Sequence, residues 1–321
     1  MGAEKKLQEW VVLGTGGTIA GTAGSANDHT GYTAGRLGVR ALLDELPGLA
    51  LLLQGDGLRA EQLAQLDSKD MDHACWQRLA SRCSELLAQP GVGGVVITHG
   101  TDTLEETAWF LQQVVTGSKP VVLTCAMRPA TALMPDGPQN LLDALAVVRD
   151  PMARGVLAVC AGVVHAARDV QKVHPYRLDA FSSGEAGPLG WVEQGQVRWC
   201  GRAVASEPHA QASQALLLAP ERWPWVEVLH SHAGADDRRV QALVAAGVQG
   251  LVLAGTGNGT IHKRLTAALE QARAQGVAVR LVSRCAEGAI VGAPVWPMAP
   301  TGLNAYKARI SLMLDLMAPE R

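Results

Sequence analysis

In the N-terminal part of the chain, short runs of apolar and β-branched residues alternate with longer segments that have the apolar period of a helix. The short runs predict strands at 11–13, 94–98, 121–124 and 156–159, and the longer segments predict helices at 71–88, 104–115 and 140–148. Strands that alternate with helices favour a parallel sheet with helices on its faces. The sequence therefore predicts an α/β fold whose larger N-terminal domain has a mainly parallel sheet flanked by helices.

The alternation stops at residue 190. Residues 190–200 alternate apolar and polar side chains around Gln194-Gly195, which predicts a hairpin. A polar, alanine-rich stretch follows, and we expect a linker at 205–224 between an N-terminal catalytic domain, 1–204, and a smaller C-terminal α/β domain, 225–321. In that second domain the pattern predicts strands at 226–230, 250–254 and 277–282 and helices at 237–246, 260–275 and 304–316.

The charge of the chain bears on its partners. The 321 residues carry a net charge of −2, and no block of Lys and Arg is longer than Lys5-Lys6. This argues against a surface for nucleic acid or an anionic membrane. The longest apolar run, 156–164, is too short to cross a bilayer, and no apolar signal core follows the N-terminal lysines. We expect a protein that acts on a small molecule and is located in the cytoplasm. A signal peptide removed before residue 1 would change the expected location.

The cysteines and histidines show no strong metal-binding pattern. The six cysteines include no Cys-x-x-Cys, so we expect small buried side chains in a reducing compartment, Cys125 and Cys160 inside strands. His230 and His232 would share one face of a strand. A metal site there is one interpretation, but no third ligand lies nearby and a packing role at the strand end is favoured. We predict no metal.

The stretch "WVVLGTGGTIAG" at 10–21 is a strand that runs into a glycine turn. It lacks the dinucleotide fingerprint, because Ile19 occupies the third glycine position, and it lacks the lysine of a phosphate-binding loop. Residues 21–35 have the composition of a mobile loop, which suits a lid over a small substrate. The turn has two interpretations. It displays a nucleophilic hydroxyl, or Thr15 and Thr18 only satisfy backbone groups. This stretch alone favours the second interpretation.

A second stretch, "VVITHGTDTLEETAWFL" at 95–111, has the same order of strand, glycine turn, hydroxyls and helix. Thr103 and Glu106 fit a capping box, which puts Asp102 beside the helix N-terminus. Both turns would lie at the carboxyl ends of parallel strands, where ligands bind. Two hydroxyl-bearing turns and one carboxylate would therefore meet in one crevice.

These two stretches resemble the signature motifs of the bacterial-type L-asparaginase and glutaminase-asparaginase family. The resemblance continues, in the expected order along essentially the whole chain, through "GYTAGRLG", "DSKDM", "KPVVLTCAMRP", "DGPQNLLDA", "RDVQKVH", "GPLG" and "AGTGNG". It implies an amidohydrolase of asparagine catabolism that converts L-asparagine to L-aspartate and ammonia through a threonine acyl-enzyme, with minor glutaminase activity. It also implies a homotetramer built as a dimer of dimers, and no cofactor.

The resemblance assigns roles to individual residues. Thr18 matches the nucleophile and Tyr32 the loop tyrosine beside it, while Thr101, Asp102 and Lys172 match a second catalytic cluster. Ser68 and Asp102 match residues that hold the α-carboxylate and α-amino group of the substrate, and Asn258 matches a residue that a neighbouring subunit supplies. The substrate-binding set implied by the resemblance is Gly17, Ser68, Lys69, Gly100, Thr101, Asp102, Ala126, Asn258 and Glu287.

Two positions depart from the family pattern. Lys69 stands where family members often carry glutamine or a small residue, so a cation would reach the carboxylate of the substrate. Glu287 is only the nearest counterpart of the family's intersubunit glutamate. Taken singly, Lys172 would be interpreted as a surface lysine and Ser68 as a helix N-cap ahead of Met71, but the matched context reverses both interpretations.

Three functional questions stay open at the level of the sequence. The proton of the nucleophile would go to a positioned base or pass through Tyr32 or Lys172. The asparaginase-like subunit of a tRNA amidotransferase would need an additional N-terminal region and a basic surface. A catalytically inactive amino-acid sensor would keep the crevice without the catalytic residues, all of which are present here.

Overall fold

The computed structural model describes residues 7–205, 212–292, 296 and 302–317. The chain divides into two compact units, Met1–Pro208 and His209–Arg321. Of the expected linker, residues 206–211 lie outside the described residues, and the rest includes a helix at Ala212–Leu217 and a 3-10 turn at Pro220–Arg222. No helix among the described residues is long and apolar enough to cross a membrane.

The first unit is built on one eight-stranded sheet with the order β10-β9-β6-β5-β4-β3-β1-β2. Its strands are β1 (Glu9–Gly16), β2 (Gly57–Leu66), β3 (Val92–Thr98), β4 (Val121–Thr124), β5 (Val156–Cys160), β6 (Val163–Ala166), β9 (Gly190–Glu193) and β10 (Gln196–Trp199). Five neighbouring strands pair in parallel, in the sheet order β5, β4, β3, β1 and β2. The strands β6, β9 and β10 extend the sheet with antiparallel pairs. The predicted mainly parallel sheet and the hairpin at 190–200 are confirmed.

Two further strands and five helices complete the first unit. The strands β7 (Gln171–Lys172) and β8 (Phe181–Ser182) form a separate antiparallel pair. The helices are α1 (Val39–Asp44), α2 (Leu49–Leu53), α3 (His73–Leu87), α4 (Leu104–Val114) and α5 (Gly137–Arg149). Helix α5 packs on β3, β4 and β5, and the buried strands between the helices form the core.

The structure contains strands that the sequence pattern did not predict, namely β2, β6, β7 and β8. β2 was not predicted, because it is a half-exposed strand at the sheet edge in which Arg59, Glu61 and Gln62 interrupt the apolar residues. The strand predicted at 156–159 is β5, and the remainder of the apolar run 156–164 turns into β6, which was not predicted. Ala161 and Gly162 turn the chain with φ angles of 50° and 75°, a conformation that closes a tight hairpin between β5 and β6.

The second unit contains a three-stranded parallel sheet, as predicted. Its strands are β11 (Val226–His230), β12 (Gly250–Gly255) and β13 (Ala278–Ser283), and its helices are α6 (Ala212–Leu217), α7 (Arg238–Ala245), α8 (Lys263–Ala274) and α9 (Ala305–Leu316). Helix α9 begins where predicted, because the side-chain oxygen of Asn304 accepts a hydrogen bond of 3.0 Å from the backbone of Lys307. The sheet is covered by apolar residues of α7 and α8 on one side.

The expectation that all six cysteines are buried is correct for four of them. Cys200 and Cys285 are exposed. Cys125 and Cys160 lie at the ends of neighbouring strands with their sulfur atoms 3.4 Å apart, as thiols. The hydrogen bond with the Cys160 sulfur, together with burial, holds the pKa of the Cys125 thiol above its ordinary value, so Cys125 packs as a neutral side chain.

A buried ion pair joins the start of the sheet to helix α5. The carboxylate of Asp56 accepts hydrogen bonds of 3.0 Å from both the Trp10 indole and the Arg149 guanidinium, and its side chain is 3% exposed. We expect Asp56→Ala to lower the free energy of unfolding by about 3 to 5 kcal/mol, because it leaves a buried guanidinium without its carboxylate. Urea unfolding measures this change.

The matched control for Asp56→Ala is Glu193→Ala, which removes the partner of Arg198 from a pair whose two side chains are more than half exposed. Solvent screens that pair, so little change in stability is expected. Equal losses in the two variants would contradict the assignment of Asp56 as a buried anchor.

Candidate active site

The first glycine turn brings the end of β1 against two other segments of backbone. A Cβ atom on Gly16, whose φ is 104°, would lie 2.4 Å from the carbonyl oxygen of Leu66. A Cβ atom on Gly17, whose φ is 80°, would lie 2.4 Å from the backbone of Gly100. Both positions therefore require glycine. The turn places the residue after Gly17, Thr18, beside the turn that follows β3.

The two threonines of the first turn have different roles. The Thr15 hydroxyl donates a hydrogen bond of 2.9 Å to the carbonyl oxygen of Thr98, which ties β1 to β3. The Thr18 oxygen lies 2.6 Å from the phenol oxygen of Tyr32, and Thr18 is 5% exposed. Thr15 thus satisfies a backbone group, as the simpler interpretation held, whereas Thr18 bonds to the side chain of a residue that the resemblance implies to be catalytic.

The segment 21–35 carries Tyr32 and is tied to its neighbours. Thr22 and Thr33 pair across the base of the loop, and the backbone of Ala23 donates a hydrogen bond of 2.8 Å to the Thr131 hydroxyl. Burial raises the pKa of the Tyr32 phenol, the hydrogen bond with Thr18 opposes this, and the negative charges of Asp67 and Asp102 raise it further. Tyr32 is therefore a neutral phenol at pH 7.

The second glycine turn packs on Ser68. A Cβ atom on Gly100 would lie 2.4 Å from the Ser68 hydroxyl oxygen, and that oxygen accepts a hydrogen bond of 3.2 Å from the backbone of Asp102. Thr103 donates a hydrogen bond of 2.7 Å to the carbonyl oxygen of Ser68. Ser68 is 1% exposed and thus lies beneath the turn, so its interpretation as an N-cap is wrong. Helix α3 is capped by Asp72 instead.

The capping box predicted at the start of α4 is also wrong in part. Thr103 is the N-cap residue, but its side chain makes no capping hydrogen bond. Its hydroxyl is used for the contact with Ser68 described above. A tertiary hydrogen bond has therefore replaced the local one that the pattern Thr-x-x-Glu predicts.

The structure brings three of the predicted residues into one charged cluster. The Lys172 ammonium donates hydrogen bonds of 2.7 Å to the Thr101 hydroxyl and 2.6 Å to the Asp102 carboxylate. The Lys172 side chain is 17% exposed, which is low for a lysine, so its interpretation as a surface residue is wrong. Thr101 follows Gly100 and Thr18 follows Gly17, so the close contact of the two glycines brings the two turns that carry these hydroxyls against each other.

Ala126 and Lys69 differ in their surroundings. Ala126 is buried after β4 and packs with Ile19 and Ala20, the two residues that follow Thr18. The Lys69 ammonium pairs with the carboxylate of Asp70 and lies 3.9 Å from that of Asp67, with 60% of the side chain exposed. Lys69 therefore already has a partner on its own turn, and its contact with a substrate carboxylate stays a prediction.

The two remaining predicted residues belong to the second unit. Asn258 follows β12, and its side chain makes two hydrogen bonds with the backbone of Val291. The amide nitrogen donates to the carbonyl oxygen of Val291 at 2.9 Å, and the amide oxygen accepts from the N–H of Val291 at 2.8 Å. Glu287 is exposed after β13. Both therefore lie in loops at the carboxyl end of the second sheet.

Sequence reasoning missed Glu105, a buried carboxylate in the first turn of α4. It is 8% exposed and accepts a hydrogen bond of 2.8 Å from the backbone N–H of Lys172. An acid in the first turn of a helix ordinarily indicates only a favourable interaction with the helix dipole. The one available signal was its position directly after the second hydroxyl motif.

Among the described residues no group of three or more His, Cys, Asp or Glu side chains is placed to hold a metal ion. His230 and His232 both lie near the carboxyl end of β11 and line one side of a cavity of about 320 Å³ together with Asp236, Arg238 and Arg239. This cavity lies wholly in the second unit.

Comparison with known proteins gives the family. Residues 10–205 match the profile "Asparaginase, N-terminal", and residues 225–320 match "Glutaminase/Asparaginase C-terminal domain". Together the two matches span nearly the whole chain. The chain belongs to the asparaginase and glutaminase family of amidohydrolases.

Individual relatives are similar over almost their full length. The glutaminase-asparaginase of Pseudomonas fluorescens biotype A is 36% identical over 97% of this chain and 87% of its own. L-asparaginase 2 of Escherichia coli (strain K12) is 36% identical over 98% of this chain and 90% of its own. The crystal structure of a probable cytoplasmic L-asparaginase from Campylobacter jejuni superposes with a TM-score of 0.89 at 36% identity, over 97% of this chain and 96% of that one.

A buried histidine supports the second glycine turn. The imidazole Nδ1 of His99 donates a hydrogen bond of 2.7 Å to the carbonyl oxygen of Gly100, and the ring is fully buried. Burial lowers the pKa of His99 from 6.5 to about 4. The ring is therefore neutral at pH 7, and its protonation in the folded state would put an unpaired charge under the turn.

This pKa shift predicts acid destabilisation. Between pH 6.5 and pH 4 the unfolded state binds a proton at His99 and the folded state does not. The free energy of unfolding should therefore fall by up to about 3 kcal/mol as the pH drops through this window. Urea unfolding of the wild type and of His99→Gln across the window checks this, because the variant lacks the titrating group. Equal slopes for both proteins would contradict it.

Proposed function

We propose that this enzyme hydrolyses L-asparagine to L-aspartate and ammonia through an acyl-enzyme on Thr18, with a minor activity on L-glutamine. The observation that carries the proposal is the pairing of two hydroxyl clusters across one backbone contact. Thr18 with Tyr32 follows Gly17, and Thr101 with Asp102 and Lys172 follows Gly100. An amide hydrolase needs a positioned nucleophile and a proton donor for ammonia, and these two clusters offer both.

In the first step the Thr18 hydroxyl oxygen attacks the side-chain carbonyl carbon of asparagine. The proton of the hydroxyl must leave as the new bond forms, and Tyr32 is the group in contact with it at 2.6 Å. Because Tyr32 is a neutral phenol, it accepts this proton only while it passes its own proton on. The leaving nitrogen takes up a proton and departs as ammonia. Water then cleaves the ester and releases aspartate and Thr18.

The second cluster suits the binding and charge balance of the substrate. The Asp102 carboxylate is more than half exposed, so it remains accessible to the α-ammonium group while it holds Lys172. The Ser68 hydroxyl oxygen accepts a hydrogen bond from the backbone N–H of Asp102. The hydroxyl proton of Ser68 therefore stays available to donate to the α-carboxylate of the substrate. The Lys172 ammonium, bonded to the Thr101 hydroxyl, stabilises negative charge or supplies a proton at that side.

We also propose a homotetramer built as a dimer of dimers, in which Asn258 and Glu287 complete the site of a neighbouring subunit. The support is the resemblance of "GTGNG" and its surroundings to the family pattern, together with the placement of both residues in the second unit. We place the enzyme in the cytoplasm and require no metal or organic cofactor for the reaction. Fractionation of cells that express the full-length gene tests the location.

The nucleophile is tested by Thr18→Ala, which should lower kcat for asparagine by at least about a thousandfold, because no other group replaces the attacking oxygen. Ammonia release measures this, and mass spectrometry of acid-quenched wild-type enzyme should detect the aspartyl adduct. The matched control is Thr15→Val, which removes the hydroxyl three residues away and should keep most of the activity at some loss of stability. An active Thr18→Ala enzyme would refute the assignment.

The shared site is tested by complementation. Thr18→Ala and Asn258→Ala should each be nearly inactive as pure proteins, since each damages every site of a symmetric assembly. When the two are unfolded together and refolded as a mixture, some sites combine an intact Thr18 with an intact partner Asn258. We expect recovery of up to about a quarter of the wild-type activity for a one-to-one mixture. No recovery, or an active monomer in light scattering, would overturn the proposal.

A further inference from the structure

Lys172 lies on a strand that is too short to hold itself in place. β7 consists of Gln171 and Lys172, and its pairing partner β8 consists of Phe181 and Ser182. A two-residue ladder fixes the backbone weakly. The ammonium nevertheless has to reach the Thr101 hydroxyl and the Asp102 carboxylate at the same time.

Besides the backbone hydrogen bond of 2.7 Å from Val173 to Ala180, the carboxylate of Glu105 holds this segment directly at Lys172. One of its oxygens accepts the backbone N–H of Lys172 at 2.8 Å, and the residue is 8% exposed. Glu105 lies in the first turn of α4, directly after the turn that carries Thr101 and Asp102. One rigid helix start therefore holds both ends of Lys172, its backbone through Glu105 and its ammonium through Thr101 and Asp102.

We infer that Glu105 is a positioning residue, whose buried carboxylate holds the main chain of Lys172 at the distance from which the ammonium bridges Thr101 and Asp102. This inference rests on the proposed function for its kinetic consequence, but the contact that it assigns is testable without turnover. The helix N-terminus stabilises the buried negative charge of Glu105.

The first measurement is the chemical reactivity of Lys172. Competitive labelling with trace acetic anhydride, read by mass spectrometry, compares Lys172 with Lys119, whose ammonium is also held by two protein oxygens, the carbonyls of Leu87 and Gln89. In Glu105→Ala we expect the labelling rate of Lys172 to rise at least about threefold while that of Lys119 stays constant. An unchanged ratio in a folded variant overturns the inference whether or not the protein hydrolyses asparagine.

The second measurement is a double-mutant cycle on kcat. Glu105→Ala should lower kcat about 10- to 100-fold with KM changed less than about threefold, the range expected for loss of a hydrogen bond to a charged group. In the Lys172→Arg background the same change should lower kcat less than about threefold. The guanidinium is already displaced from the position of the ammonium, so loss of the backbone anchor has a smaller effect. Equal factors in both backgrounds would show that Glu105 acts independently of Lys172 and would overturn the inference.

Two further variants separate positioning from general stability. Glu105→Gln keeps an oxygen that accepts the Lys172 N–H, so kcat should recover to within about fivefold of the wild type. Asp143→Ala removes another buried carboxylate, on α5, and should lower the melting temperature with little effect on kcat. If Asp143→Ala lowers kcat as much as Glu105→Ala does, the role of Glu105 is structural and the inference is wrong. An inactive wild-type enzyme would instead refute the proposed function and leave the labelling result standing.

Discussion

The close contact between the backbones of Gly17 and Gly100 is the constraint on which the rest of the site depends. Any side chain on Gly17 would lie within 2.4 Å of Gly100, and any side chain on Gly100 would lie within 2.4 Å of the Ser68 hydroxyl. These distances exclude every residue with a Cβ atom unless the backbone moves. Three segments from separate strand ends can therefore meet only because two of them carry no side chain at the contact. Thr18 and Thr101, one residue further on, are brought to the same place as a consequence.

The contact also determines the electrostatics of the site. Tyr32, Asp102 and Lys172 come from three distant parts of the sequence, yet the charge of Asp102 acts on both of the others. Burial raises the pKa of the Tyr32 phenol, and the Lys172 ammonium lies 2.6 Å from the Asp102 carboxylate. The site therefore holds a neutral donor beside Thr18 and an ion pair beside Thr101. In the proposed reaction this division assigns proton transfer at Thr18 to one cluster and charge stabilisation to the other.

The parts of this fold that follow a local pattern could be predicted from the sequence. Buried strands such as β3 and β4 and long helices such as α3 have their period in the residues themselves. β2 could not be predicted, because an edge strand is stabilised by the neighbour that it pairs with and not by its own polar residues. The capping hydrogen bond predicted at Thr103 is absent for a similar reason, since the Thr103 hydroxyl donates to the carbonyl oxygen of Ser68 rather than capping its own helix. Glu105 needed the structure, because its partner Lys172 is 67 residues away.

In the proposed tetramer Asn258 would complete the site of a neighbouring subunit, and contacts within its own subunit already fix its side chain. Its amide uses one donor and one acceptor on the backbone of Val291, which fixes the side chain in its loop. An asparagine side chain has two donors and an oxygen with two lone pairs, so one donor and one lone pair remain after these two bonds. A side chain that is already fixed loses little conformational entropy when it binds a second group. The loop geometry that holds Asn258 within its own subunit is therefore compatible with the shared site that we propose.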